Sequence, residues 1–167
     1  MEKVMPRSAE LPFNGPLETG TRAVLNLHAC FPKTLDLQRL TALDYLIVRT
    51  SVIGGPSDLH PPAPITSPVT QVRRKMVQTS LNMMMARDLV SQVITEKGIT
   101  YRAGESSMFF VDAIQSMYLK QLFERAIWLS EYIGQLDDEE FNQNMKAILN
   151  NWVSEFQDEA GTIGGAS

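Results

Sequence analysis

Several things are scarce in this chain, and each scarcity excludes something. Among 167 residues there is one cysteine, Cys30, so no internal disulfide can form and a reducing compartment, the cytoplasm, is expected. Apolar stretches such as Met83, Met84, Met85 and Ala86 fall far short of the ~20 residues that cross a bilayer, so no membrane association is expected. The first residues, Met1 to Pro6, have no apolar centre of signal-peptide type. A basic excess is also missing. With 15 Lys and Arg against 19 Asp and Glu the net charge is −4. Phosphate neutralisation supplies most of the affinity of freestanding DNA-binding proteins, so any nucleic-acid contact must come from a local patch or a partner. What is present is ordinary for a folded chain: 44% hydrophobic and 20% charged residues, which excludes a disordered chain and a coiled-coil rod. The length suits one domain with a proper core, or a small domain plus a helical extension.

The chain is organised around residues 69–103. Val69, Val72, Met76, Val77, Leu81 and Met84 recur at three- and four-residue spacing, the signature of one helix face. Two β-prone runs follow, 89–94 and 99–103, joined by Thr95, Glu96, Lys97 and Gly98. Gly98 supplies the positive φ of a tight hairpin. A helix followed at once by a hairpin is the second half of a winged helix-turn-helix. The expected fold is therefore mainly α (α+β): a winged-helix domain over 13–105 with a β-hairpin wing, preceded by a flexible arm at 1–12. A C-terminal helical extension at 106–157 and a flexible tail at 158–167 complete it.

Taken in order, Gly15 and Pro16 predict a helix start, with Glu18 complementing the dipole. That helix is expected to reach about Cys30, burying Val24, Leu25, Leu27 and Phe31 before Pro32 closes it. Leu35, Asp36 and Leu37 read as a short strand beside the hairpin. Residues 38–50 read as a second helix with Leu40, Leu43, Leu46 and Ile47 inside, while Asp44 and Arg49 face water or pair locally. Residues 51–68 hold Gly54, Gly55 and five prolines, which excludes a long helix or a central strand. A loop of that length is expected to pack on, or grip, something. Gly54, Gly55, Pro56, Leu59, His60 and Pro61 are its candidate partner-binding residues.

After the hairpin, Ser106 or Ser107 can cap a helix that runs from 108 to 133 with a bend near Gln115 to Met117. Leu119, Leu122, Ala126, Leu129 and Ile133 follow a 3, 4, 3, 4 spacing, a heptad seam able to face a second helix, and Gly134 would end it as a left-handed cap. Asp137 and Glu140 then form a capping box for a last helix with Phe141, Met145, Ile148, Leu149, Trp152 and Phe156 on its apolar face.

No catalytic constellation is visible, and no cofactor is expected. Gly54, Gly55 and Pro56 lack the lysine and hydroxyl of a phosphate loop. His28, Cys30 and His60 would leave a zinc ion one ligand short. A Cys30–His60 nucleophilic pair has no third group to orient it. His28 is better read as a satisfied core histidine, Cys30 as a small buried hydrophobe, and residues 137–140 as capping rather than metal ligation. Met83 to Met85 read as core filler. The strongest candidate surface is the polar face of the organising helix. Gln71, Arg74, Lys75, Gln78 and Asn82 fall at offsets 0, 3, 4, 7 and 11, with Arg73 at the edge. In a winged helix, Arg, Gln and Asn there would read base edges and Lys75 would meet phosphate, with Lys97 and Arg102 extending the patch. A solvated helix face carries the same residue types.

Particular segments also carry a resemblance. Residues 13–20 (Phe13, Asn14, Gly15, Pro16, Leu17, Glu18, Thr19, Gly20), Phe31-Pro32, residues 35–40, Asp44-Tyr45, Gly54-Gly55-Pro56 and residues 59–62 resemble the middle component of bacterial ABC three-component conflict systems. So do residues 101–105 and 113–116. The small accessory subunit of Lamassu-type anti-phage systems is similar. The resemblance covers about 13–156. It implies a non-enzymatic subunit with a winged-helix domain, associated with an ATPase related to the SMC and Rad50 group and with an effector, often a nuclease. Such complexes sense foreign DNA, so double-stranded DNA is a possible partner through the complex. The alternative is a winged-helix transcription regulator that dimerises through the heptad seam. The acidic charge and the long loop inside the helix-turn-helix favour the adaptor.

Overall fold

The computed structural model describes residues 15–60 and 67–148, the side chains of 67–70 excepted. The described elements run α1 (Pro16–Cys30), α2 (Leu37–Leu46), a 3-10 turn (Thr50–Ile53), α3 (Ser67–Met85), β1 (Val90–Thr95), β2 (Gly98–Ala103), α4 (Ser107–Asp112), α5 (Met117–Gly134) and α6 (Asp138–Ile148). The fold is mostly helical with one small antiparallel hairpin.

Helix α1 is the axis of the molecule. Gly15 enters it extended, Pro16 takes the first turn and Thr19 N–H donates to Gly15 O at 3.0 Å. Five consecutive residues, Ala23 to Leu27, are buried, which a helix allows only when it is covered on every side. The covering elements include α2, α3, α4, α5 and β2. Phe31 departs from expectation. It caps the helix rather than continuing its face, so the ring is 59% exposed.

Asp36 N-caps α2, accepting from Arg39 N–H at 2.8 Å. Because Asp36 turns the chain into that helix, the expected strand at 35–37 shrinks to one residue. Leu35 exchanges two backbone hydrogen bonds with Tyr101, of 2.9 and 2.8 Å. Leu40, Leu43, Leu46 and Ile47 are buried as expected. The helix, however, ends at Leu46 and not at Thr50. The carbonyl of Val48 is taken by the returning loop, accepting from Leu59 and His60 N–H at 2.9 and 3.1 Å. A 3-10 turn follows, closed by Gly54 at φ 79°.

Helix α3 buries Val77, Leu81 and Met84 against α1, whereas Val72, expected inside, is 64% exposed. Val69 lies where side chains are not described. The hairpin has Val90 opposite Ala103 and Thr95 opposite Gly98, whose φ of 104° makes the tight turn. At its base Gly104 lies against Asp88 O, which leaves no room for a Cβ.

The expected helix over 108–133 is two helices, broken at 113–116, because Ser116 Oγ accepts from Leu119 N–H at 3.1 Å and starts α5 afresh. Ser106 N-caps α4 by position alone. Its hydroxyl donates instead to Asp88 Oδ2 at 3.2 Å. Gly134 is not the left-handed cap expected of it, since it closes α5 within the helix and Gln135 caps at φ −92°. Ahead of α6 the reciprocal capping box is formed. Asp137 Oδ1 accepts from Glu140 N–H at 2.8 Å and Glu140 Oε2 from Asp137 N–H at 3.2 Å. Phe141 and Met145 are buried, while Leu149, Trp152 and Phe156 lie outside the described residues. The seam residues Leu122, Ala126, Leu129 and Ile133 join α1, α2, α3 and the hairpin base in a single core cluster, with Leu119 packed against it.

Candidate functional site

The polar stripe of α3 keeps its helical register but not its full exposure. Gln71, Lys75 and Asn82 project into solvent, whereas Arg74 and Gln78 are half-buried. Gln78 Nε2 lies 3.4 Å from the Tyr101 hydroxyl, so this residue also leans on the hairpin. Arg73 turns inward. Its Nη1 donates to Asp44 Oδ2 at 2.6 Å and its guanidinium lies 5.5 Å from the Tyr45 ring centroid.

The hairpin splits in the same way. Arg102 is exposed on β2. Lys97, at the tip, donates to Asp138 Oδ2 at 3.1 Å, and Arg39 binds the other oxygen of that carboxylate while lying over Phe141. The hydrogen bond from Lys97, then the charge of Arg39, holds the Asp138 carboxyl below its ordinary range. Lys97, itself still largely exposed, thus links the hairpin tip to α6 at the surface. These three residues flank a cleft of about 910 Å³ that also includes Cys30, Lys33 and Phe141.

The proline-rich segment is folded on itself as far as residue 60. Thr50 Oγ1 donates to Pro56 O at 2.6 Å, Gly55 N–H to Thr50 O at 2.9 Å, and Ser51 N–H to Asp58 Oδ1 at 3.0 Å. It grips α5 of its own chain. Arg125 donates twice to Ser57 O, at 3.2 and 2.9 Å, and a Cβ on Gly55 would meet the Trp128 ring at 2.7 Å. His60 Nε2 and the Tyr118 hydroxyl are 2.7 Å apart, with their rings stacked. Burial, then the nearby charges of Arg22 and Arg49, pulls the His60 pKa down to about 4. Leu59 packs against the core, and Pro61 lies outside the described residues.

Between α1, α2 and α3 lies a constellation that spacing alone did not reveal. Asp44 and Arg49 neither face water nor pair locally. Asp44 is 4% exposed and joins Arg22 through Oδ1 and Arg73 through Oδ2, both at 2.6 Å. Arg22 also donates to Thr19 Oγ1 at 3.1 Å. Arg49 is 9% exposed, lies 4.8 Å from the Tyr45 ring centroid, and has a buried Nε with no acceptor among the described residues. The only legible signal was the set of arginines on otherwise apolar helix faces.

His28 Nδ1 meets Ser107 Oγ at 3.1 Å beside Phe123, so the ring is hydrogen-bonded, but it is half-buried at the edge of the core rather than inside it. Burial pushes the Cys30 thiol up to about 11, so it is a protonated, apolar group near neutral pH. Among the described residues no group of three His, Cys, Asp or Glu side chains could hold a metal ion, and no helix is long and apolar enough to cross a membrane.

A comparison with family models matches residues 12–155 to the ABC-three component (ABC-3C) system Middle Component 2. No curated protein and no solved structure matches this chain significantly. The match spans nearly the whole sequence and takes in α1 to α6, the hairpin and the loop that grips α5, and on it this chain belongs to the ABC-three component system Middle Component 2 family.

Proposed function

We propose that this chain is a non-catalytic adaptor in a bacterial defence complex of Lamassu type, working in the cytoplasm. It would hold an SMC/Rad50-like ATPase and an effector, often a nuclease, in one assembly and help that assembly sense double-stranded DNA. The observation that carries this reading is membership of a middle-component family, which implies protein partners. Large apolar side chains left in water support it: Phe109 is 71% exposed and Met117 70%, close together in sequence on α4 and at the start of α5. The order of helix, single-residue bridge, helix, helix and hairpin is compatible with a winged helix-turn-helix and supports reading it as one. In that reading the exposed Gln71, Lys75 and Asn82 of α3, with Arg102 on the wing, face DNA. Arg74 and Gln78 contribute less, and Lys97 acts on α6. The transcription-regulator alternative loses its dimer contact, because the heptad seam is buried inside the chain itself.

The test is co-expression of the tagged chain with its neighbouring genes, followed by size-exclusion chromatography and mass spectrometry. Recovery of a coiled-coil ATPase in fixed ratio supports the adaptor. Recovery alone, as a dimer that binds DNA with a salt slope of several phosphates, favours the regulator. Within a recovered complex, Lys75→Glu with Arg102→Glu should weaken DNA binding several-fold. Unchanged binding removes the α3 face and the wing from the DNA contact.

A further inference from the structure

We propose that the outer edge of β1 is a docking site for an extended, uncharged segment of a protein partner, which adds there as a third strand of the hairpin sheet. The hydrogen-bond register carries the argument. In an antiparallel pair, opposite residues alternate between those that bond each other and those that turn their N–H and C=O away from the ladder. Tyr101 is of the second kind, since both of its groups go to Leu35 on the far side of β2, at 2.8 and 2.9 Å. Gln92 stands opposite Tyr101, so its own N–H and C=O point away from β2, across the outer edge of β1. Ile94, two residues on, repeats that orientation. The bond from Gly104 N–H to Leu89 O, at 3.0 Å, extends the ladder one pair beyond Val90 and Ala103 and agrees with this phase. Among the described residues no backbone hydrogen bond reaches the outward groups of Gln92 or Ile94.

The edge is open as well as unpaired. Gln92, Ile94 and Thr95 are all exposed. Ile94 stands opposite Ile99, and these two large apolar side chains are 80% and 52% exposed on one face of the hairpin. Proteins commonly blunt such an edge with a proline, a charge or a bulge. β1 runs from Val90 to Thr95 in unbroken register, with no proline and no charged residue. The other edge of the same hairpin already takes an exchange of this kind, in the one-residue bridge to Leu35.

The length of the edge selects the occupant. Two freely diffusing copies of this chain need about 20–30 residues a side for a stable interface, and a six-residue strand offers a fraction of that. A segment of a partner held in the same assembly does not depend on the edge for its whole affinity. Membership of a three-component system implies such partners. Backbone pairing supplies the affinity at a strand edge, and the side chains supply the choice of sequence. Beside the Ile94–Ile99 pair the incoming strand is expected to set a β-branched apolar side chain. The inference rests on the adaptor reading in needing a protein partner, and on no part of the DNA contact.

The probe is a hexapeptide of alternating threonine and valine, acetylated and amidated, titrated into the ¹⁵N-labelled full chain. Saturable shifts of the Gln92 and Ile94 amide signals are expected at millimolar peptide. Gln92→Pro deletes an N–H that bonds nothing in β2, so the hairpin should stay folded while peptide binding weakens at least ~10-fold. Ile94→Lys keeps the backbone donors and blunts the edge, and should weaken binding several-fold. Should Gln92→Pro unfold, Ile94→Lys decides alone. Unmoved amide signals, or unchanged binding in the folded variants, overturn the docking edge. Slow hydrogen exchange at Gln92 and Ile94 in the free chain also overturns it. Concentration-dependent protection would assign the edge to a second copy, and concentration-independent protection to the chain itself. In the co-expression experiment, protection of both amides in the complex alone supports the edge. A complex in which both exchange as fast as in the free chain sinks the edge and leaves the adaptor standing. Absence of any complex with the wild-type chain sinks the adaptor, while the peptide titration still judges the edge.

Discussion

Arg73 of α3 reaches Asp44 of α2 at 2.6 Å, across the long proline-rich loop that separates the two helices in sequence. The same carboxylate holds Arg22 of α1, so one acidic group joins the three helices of the core. Removing one member of a buried ionic group leaves its partners charged, desolvated and unpaired. Asp44→Asn should therefore destabilise the protein by about 3–5 kcal/mol in urea unfolding. Arg73→Gln should cost less, because that side chain is partly in water. Equal and small losses for both variants would show that the triad contributes little.

Asn26 makes a contrasting case. It is 1% exposed in the middle of α1, and among the described residues neither its amide nitrogen nor its oxygen has a hydrogen-bond partner. A buried amide without partners opposes folding. Asn26→Leu, which keeps the branching at Cγ, should raise stability by about 1 kcal/mol, seen as a higher melting temperature. A clear loss would mean that the amide does bond in solution.

His60 makes stability depend on pH in a stated direction. Its folded pKa lies at about 4 against an ordinary 6.5, so the unfolded chain takes up the proton first. Its contribution is complete above pH 6.5 and is lost as pH falls toward 4. Urea midpoints should drop across that window, and His60→Gln should flatten the drop. A wild-type midpoint that stays level from pH 7 to 4.5 would contradict the burial of this ring beside Tyr118.

Cys30 should be inert in the native protein. A thiol whose pKa is raised from 9.0 to about 11, and which is enclosed by its surroundings, holds very little thiolate near neutral pH. Alkylation by iodoacetamide at pH 8 should be at least ~100-fold slower in the folded protein than in urea, from thiolate fraction alone. Similar rates in both states would place the thiol at the surface.

The sequence by itself determined what depends on near neighbours along the chain. The bounds of α1, the Asp137–Glu140 capping box and the Gly98 hairpin were legible because each follows from residues within one turn of each other. So were the buried faces of α2 and α5, which need only a period of 3.6. Break points were harder. Residue 46 ends α2 because a loop returning from Leu59 and His60 claims the Val48 carbonyl, and no local pattern announces that bond. Ser116 restarts a helix that apolar periodicity would have continued.

Candidate site residues divided along the same line. Gln71, Lys75 and Asn82 are exposed because the helix face alone puts them there. Whether Arg73 joined them or turned to Asp44, and whether Lys97, exposed at the hairpin tip, also found Asp138, was decided by elements far away in sequence. A charge is placed by the energy of leaving water against the energy of finding a partner. The partner is supplied by the tertiary structure, so periodicity could locate the arginines of α1, α2 and α3 but could not pair them.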